Sequence, residues 1–192
     1  MPISERKIEK TLFSNKIVRV DVNIEVMFIP IYTSGMVHKN SELEAKIVQL
    51  GYKLPDTINP LAAYIPAKQS GKLVFTAGQL PMVNGELISK GLLGQDVEID
   101  EANKAARICT LNALAAIKGV IGDLDRIKQI VRVVGYVASV PTFTQQPAVV
   151  NGASELLLEI FGENGKHARS AVGMVVLPLN ASVEIELTVE VE

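Results

Sequence analysis

The stretch His167-Ala168-Arg169-Ser170-Ala171-Val172-Gly173-Met174-Val175-Val176-Leu177-Pro178 sets an arginine at the head of a segment that is otherwise almost wholly apolar. A guanidinium keeps its charge and loses hydration only at a cost, so Arg169 calls for an anionic partner, supplied by the protein or by a ligand. Glu184 opens the terminal stretch Val183 to Val191, on the far side of the connection Leu177-Pro178-Leu179-Asn180. If the strands flanking that connection pair as a hairpin, Arg169 and Glu184 fall at neighbouring ends of one ladder. One reading is then an ion pair between them, a common surface feature that contributes little. The other is chemistry: Arg169 grips a substrate carboxylate in bidentate fashion, and Glu184 positions or activates water. The pattern alone leaves both open.

Other polar residues admit the same pair of readings. Tyr64, in the apolar loop NPLAAYIPA, is a core-edge tyrosine or a substrate contact. Asn151, early in a helical segment, bonds locally or reaches a ligand. His167 is a solvated loop histidine or an acid or base beside Arg169, whose charge makes it harder to protonate. Cys109 falls in an alanine-rich stripe with no evident base near it, which argues for core packing rather than nucleophilic chemistry. With His38 and His167 as the two histidines and Cys109 as the one cysteine, no zinc-type cluster exists and no metal is expected. Phosphate-cradling glycine loops, a Gly-x-Ser-x-Gly elbow and a His-Glu-x-x-His helix are all missing from the sequence.

These residues need a scaffold to hold them, and the hydrophobic periodicity describes one. Ser41-Glu42-Leu43-Glu44 is a capping box for a short amphipathic helix closed by Gly51. A proline-bearing loop follows, then a strand over Lys72 to Gly78 and a hairpin turn at Asn84-Gly85. Asp100 can cap a long helix whose residues Ala102, Ala106, Cys109, Ala113, Ala116, Ile117 and Val120 recur at three- and four-residue spacing until Gly122 stops it. Such a small-residue face suits close packing on a sheet. Arg126 to Ser139 reads as a long strand in which Gly135 marks a bulge or a close contact. Thr144 and Pro147 open a second main helix ending at Gly162. In Val183 to Val191, apolar residues alternate strictly with Glu184, Glu186, Thr188 and Glu190. The result is an α+β chain: a mostly antiparallel sheet with two main helices on one face. The sheet's other face would be uncovered, with Val172, Met174 and Val176 on it or at its edges, so self-association into a closed ring is expected.

Bulk properties narrow the field. The 192 residues suit one domain plus an appendage: residues 1–40 read as an N-terminal extension with a strand at Lys16 to Ile31, and residues 41–192 as the main domain. Nineteen basic against twenty-one acidic residues give a net charge of -2, which argues against nucleic acid as a partner. A lone cysteine and the absence of a signal-like h-region make the cytoplasm the default compartment. The apolar runs fall well short of the roughly 20 residues of a membrane helix.

FTAGQLPM near Phe75, the helix-strand series after it, and Arg169-Ser170 followed by Leu177-Pro178 and Val183-Glu184-Ile185-Glu186 resemble the RidA/YjgF family of enamine/imine deaminases. The resemblance spans about residues 41–192, and the longer helical region before Arg169 is similar to one particular branch. It implies a chorismate-mutase-like fold assembled as a homotrimer, the sheets forming a central barrel with sites in clefts between subunits. It also implies hydrolysis of reactive enamines and imines to 2-oxo acids and ammonia, without a cofactor. By this likeness Arg169 binds the substrate carboxylate, Glu184 lies near the attacking water, and Tyr64 and Asn151 contact substrate. The chain departs from the family pattern at Ala77, where serine is frequent, at Ala171, where cysteine is, and at His167, which replaces a proline. Two alternatives accompany the resemblance: a non-catalytic module for small carboxylates, and an endoribonuclease, against which the near-neutral charge argues.

Overall fold

The computed structural model describes residues 41–56 and 64–192; the expected N-terminal extension, residues 1–40, and the strand expected at Lys16 to Ile31 lie outside them. Helix α1, Glu42–Gln49, starts at the capping box, where the Ser41 hydroxyl accepts from the Glu44 N–H at 3.3 Å. A second cap comes from far along the chain: the Asp125 carboxylate accepts from the Ser41 hydroxyl and from the Glu42 and Leu43 N–H groups at 2.8–3.0 Å. Carboxylate and helix dipole attract, and the contact ties α1 to the segment following the long helix.

Strands β1 (Ala67–Ser70) and β2 (Leu73–Thr76) form a tight hairpin through Gly71 at φ +59°. Strand β1 lacks apolar alternation and is not evident in the sequence; its residues past Ala67 are exposed, as befits a sheet edge. The Asn84-Gly85 turn joins the short strands β3 (Met82–Val83) and β4 (Glu86–Leu87), both turn residues taking the positive φ that this hairpin class demands. Helix α2 runs Ile99–Ile121, with Glu98 rather than Asp100 at its N-cap and no side-chain cap bond there. Asp100 instead lies in the first turn, where its charge opposes the dipole's positive end. The predicted small face is buried at Ala102, Ala106, Cys109, Ala113 and Ile117 and half-buried at Ala116, whereas Val120, in the last turn, is exposed. Strand β5 (Ile127–Ala138), helix α3 (Gln146–Phe161), strand β6 (Ala168–Met174) and strand β7 (Val183–Val191) complete the order.

The main sheet has the order β1-β2-β7-β5-β6. Pairings β1/β2, β2/β7 and β7/β5 are antiparallel, and β5/β6 is parallel, with α3 as the crossover. The hairpin expected between the last two strands therefore does not form. Strand β7, apolar on every second residue, takes the centre of the sheet, while β6, which lacks that alternation, is left at the edge.

Val183, Ile185, Leu187, Val189 and Val191 of β7 are all buried beside Val133 and Val137 of β5 and the apolar residues of α2 and α3. Gly135 is where α3 comes closest to the sheet: a Cβ there would collide with the Val150 side chain. The ladder irregularities occur earlier in β5, before Arg132, so Gly135 serves close approach and not a bulge. The opposite face of the sheet has no helix on it among the described residues, and Phe75, Val172 and Met174 on it are exposed.

Candidate functional site

Arg169 is the second residue of β6 and pairs with Val133, a helix-side residue of β5. Its side chain accordingly rises toward α3. There Asn151 and Ser154, one turn apart and hence on one helix face, receive it: Nη1 donates to Asn151 Oδ1 at 2.8 Å and to Ser154 Oγ at 3.1 Å. Nε and Nη2 make no hydrogen bond among the described residues, and no carboxylate there lies within ion-pair distance of the guanidinium. The ion-pair reading with Glu184 is thereby excluded within the chain.

His167, immediately before β6, is fixed on both ring nitrogens. Nδ1 stands 2.6 Å from the Gly165 carbonyl and Nε2 3.0 Å from Ser154 Oγ. A carbonyl can only accept, so Nδ1 carries the hydrogen of the neutral ring and Nε2 offers its lone pair to the Ser154 hydroxyl. The turn that presents that carbonyl is itself fixed, because Gly165 packs against the backbone of Leu157 with no room for a Cβ. Burial holds the imidazole below its ordinary pKa of 6.5; the contact with the Gly165 carbonyl opposes this, and the charge of Arg169 adds to it. Ser154, Glu155, Leu158, Lys166, His167 and Arg169 line an open pocket of about 350 Å³.

Of the four residues singled out in the sequence, the fold unites Arg169 with Asn151 alone. Glu184 pairs with Tyr136, three residues along β5 from Val133, and so projects from the opposite face of the sheet. It stands two strands from Arg169, about 10 Å across the sheet and about 10 Å along it. There Gly78 leaves space for its carboxylate, and burial, together with Glu186, pushes its pKa up from 4.5. Tyr64 is exposed and precedes β1, at the sheet edge remote from β6. Ser154 was missed by sequence reading. Its signal was the three-residue spacing from Asn151, which becomes informative only once α3 is known to cover β6. Cys109 is fully buried, its Sγ 3.7 Å from the Val183 carbonyl, and burial raises its pKa, so it is an inert core thiol.

Residues 44–191 match the family described as "YjgF/chorismate mutase-like, putative endoribonuclease". The chain belongs to the YjgF family. Protein TCP17 of Trypanosoma cruzi is 40% identical over 152 residues, covering 79% of this chain and 95% of that protein. The crystal structure of Atu1372 from Agrobacterium tumefaciens, a protein with unknown function, is similar at 45% identity and a TM-score of 0.74, covering 78% of this chain and 92% of that one. One from Shewanella oneidensis, called a "putative endoribonuclease", shares 39% identity at a TM-score of 0.74 over 78% and 99% of the two chains. The α+β fold with its mostly antiparallel sheet is thus that of the YjgF family. Among the described residues no cluster of three or more His, Cys, Asp or Glu could hold a metal ion, and no helix is long and apolar enough to cross a membrane.

Proposed function

We propose that the protein hydrolyses small 2-imino and enamine acids to 2-oxo acids and ammonia, with Arg169 as the carboxylate clamp. One observation carries this reading: a fixed cation at the mouth of a pocket is positioned by neutral Asn151 and Ser154 and left without an acidic partner among the described residues. Two neutral acceptors on Nη1 orient the guanidinium and leave the Nε/Nη2 edge for a carboxylate, the bidentate arrangement that arginine suits. Holding the acid group fixes the adjacent imine carbon, and much of the rate gain in such a reaction comes from fixing reactants together.

The full site draws on two copies of the chain. Arg169 and Asn151 come from one copy, while Tyr64 and Glu184 come from the next, whose open sheet face meets the β6 edge of the first. In support, one chain keeps Glu184 on the wrong face and Tyr64 at the wrong edge, and apolar Phe75, Val172 and Met174 are exposed on the surface that would be covered. Three copies repeating this head-to-tail contact close into a ring that covers the exposed apolar face of each. Glu184, with its raised pKa, then orients the attacking water.

The test is ammonia release from freshly generated 2-aminoacrylate. The wild-type protein should accelerate it over buffer at least tenfold, and Arg169→Ala should bring it back to the buffer rate. Binding of pyruvate without acceleration would instead identify a carboxylate-binding module. RNA cleavage, suggested by the name given to the Shewanella oneidensis relative, finds no support in the net charge of -2.

A further inference from the structure

The hydrogen bonds around Arg169 run in one direction. The guanidinium donates to Ser154 Oγ, the Ser154 hydroxyl donates to His167 Nε2, and His167 Nδ1–H donates to the Gly165 carbonyl. A histidine held this way can take one more proton, and only at Nε2. When it does, Nε2–H becomes the donor, Ser154 Oγ accepts from both sides, and the serine hydrogen turns out into the pocket. Protonation of the ring through Ser154 thus draws a proton out of the pocket, and deprotonation returns one to it.

We propose that Ser154 and His167 form a proton relay serving the imine carbon held at Arg169. The inference rests on the deaminase reading above and adds to it a base within the same copy of the chain as the clamp. Water's oxygen bonds to the carbon of the protonated imine as the C=N π pair moves to nitrogen. The proton lost by the water goes to Ser154, and the serine proton goes to His167. The imidazolium then returns a proton through Ser154 to the amino nitrogen of the carbinolamine. The C–N bond breaks with its pair on nitrogen, the carbonyl forms, and the hydroxyl proton leaves on the departing ammonia, so iminium and water become 2-oxo acid and ammonium.

The surroundings favour a neutral resting ring. Arg169 faces it from β6 and Lys166 adjoins it, the latter paired with Glu163 at 2.8 Å. Glu155, across the pocket on α3, is held by Arg107 at 3.1 Å. Burial and the Arg169 charge keep the base ready at neutral pH, and the Gly165 carbonyl steadies the imidazolium when it forms. His167 stands where the resemblance leads one to expect a proline, which could do none of this.

The experiment measures kcat and KM for 2-aminoacrylate hydrolysis from about pH 5 to 8 in the wild type, His167→Ala, His167→Gln and Ser154→Ala, with pyruvate affinity and thermal melting as controls. The relay predicts that each variant loses kcat by about a hundredfold, the usual range for a removed acid–base group. KM and pyruvate affinity should stay within about twofold in both His167 variants, whereas Ser154→Ala, which also removes an acceptor from Arg169, should weaken pyruvate binding as well. The wild type should lose kcat as pH falls through a value below 6.5, and the limb should vanish in both His167 variants. Added imidazole should recover part of the rate in His167→Ala, which a purely structural role would not allow. If the variants keep the wild-type kcat and pH profile while Arg169→Ala is inactive, the relay is wrong and the clamp stands. If the wild type itself does not accelerate the reaction, both fall.

Discussion

A guanidinium is a fixed cation, so the role of Arg169 is set by what the fold leaves around it. The sequence showed the charge and the apolar segment behind it; it did not show that α3 would supply Asn151 and Ser154, because that depends on which strand α3 covers. Glu184 is the contrasting case. Its carboxylate titrates, and the fold makes ionisation harder, through burial and then Glu186. A raised folded-state pKa means that the native chain holds this proton more tightly than the unfolded one, so stability falls as pH rises from about 4.5 through the raised value. Replacing Glu184 with Gln removes the penalty. The variant should melt at a higher temperature than the wild type at pH 7, with the gap closing below about pH 4.5, while losing the proposed deaminase activity. Equal melting curves across that range would show that the carboxylate is not strained. Gain of stability with loss of function is the expected signature of a residue kept for chemistry.

At the scale of elements, local signals were the readable ones. The Ser41 capping box, the Asn84-Gly85 turn, the small-residue face of α2 and the alternation of β7 each appear where their short-range chemistry puts them. Pairing was less readable, because β6 and β7 are close in sequence, and nothing local says that β7 pairs with β2 and β5 instead. The deciding preference is global: β7, with a clean apolar face, is worth most at the sheet centre, and the β5-α3-β6 crossover places β6 beside β5. That crossover brings α3 over Arg169, and Gly135 sets its height. Val150 is fully buried and β-branched, with little freedom to move aside. Gly135→Ala should therefore cost about 1–3 kcal/mol in urea unfolding, as overpacked cores do. Adding Val150→Ala should recover most of that loss, a non-additivity expected of touching residues. Full stability in Gly135→Ala would mean that α3 is not seated as described.

At the scale of the whole molecule, one chain holds the candidate residues apart: Arg169 on the helix side of one sheet edge, Glu184 on the other face, and Tyr64 before the strand at the far edge. The uncovered face was legible from the alternation of β7. The placement of Glu184 on the opposite face from Arg169 was not, since it follows from strand order. Function in this account requires assembly, and the assembly should bind one carboxylate per chain. The most direct measurement is a calorimetric titration of pyruvate into wild type and Arg169→Ala, with light scattering on the same samples. Both proteins should have three times the 20.7 kDa chain mass. The wild type should bind one pyruvate per chain, and Arg169→Ala should bind at least tenfold more weakly, since hydrogen bonds to a charged group contribute about 1.5–3 kcal/mol and 1.4 kcal/mol is a factor of ten. Undiminished pyruvate affinity in a trimeric Arg169→Ala protein would contradict the account.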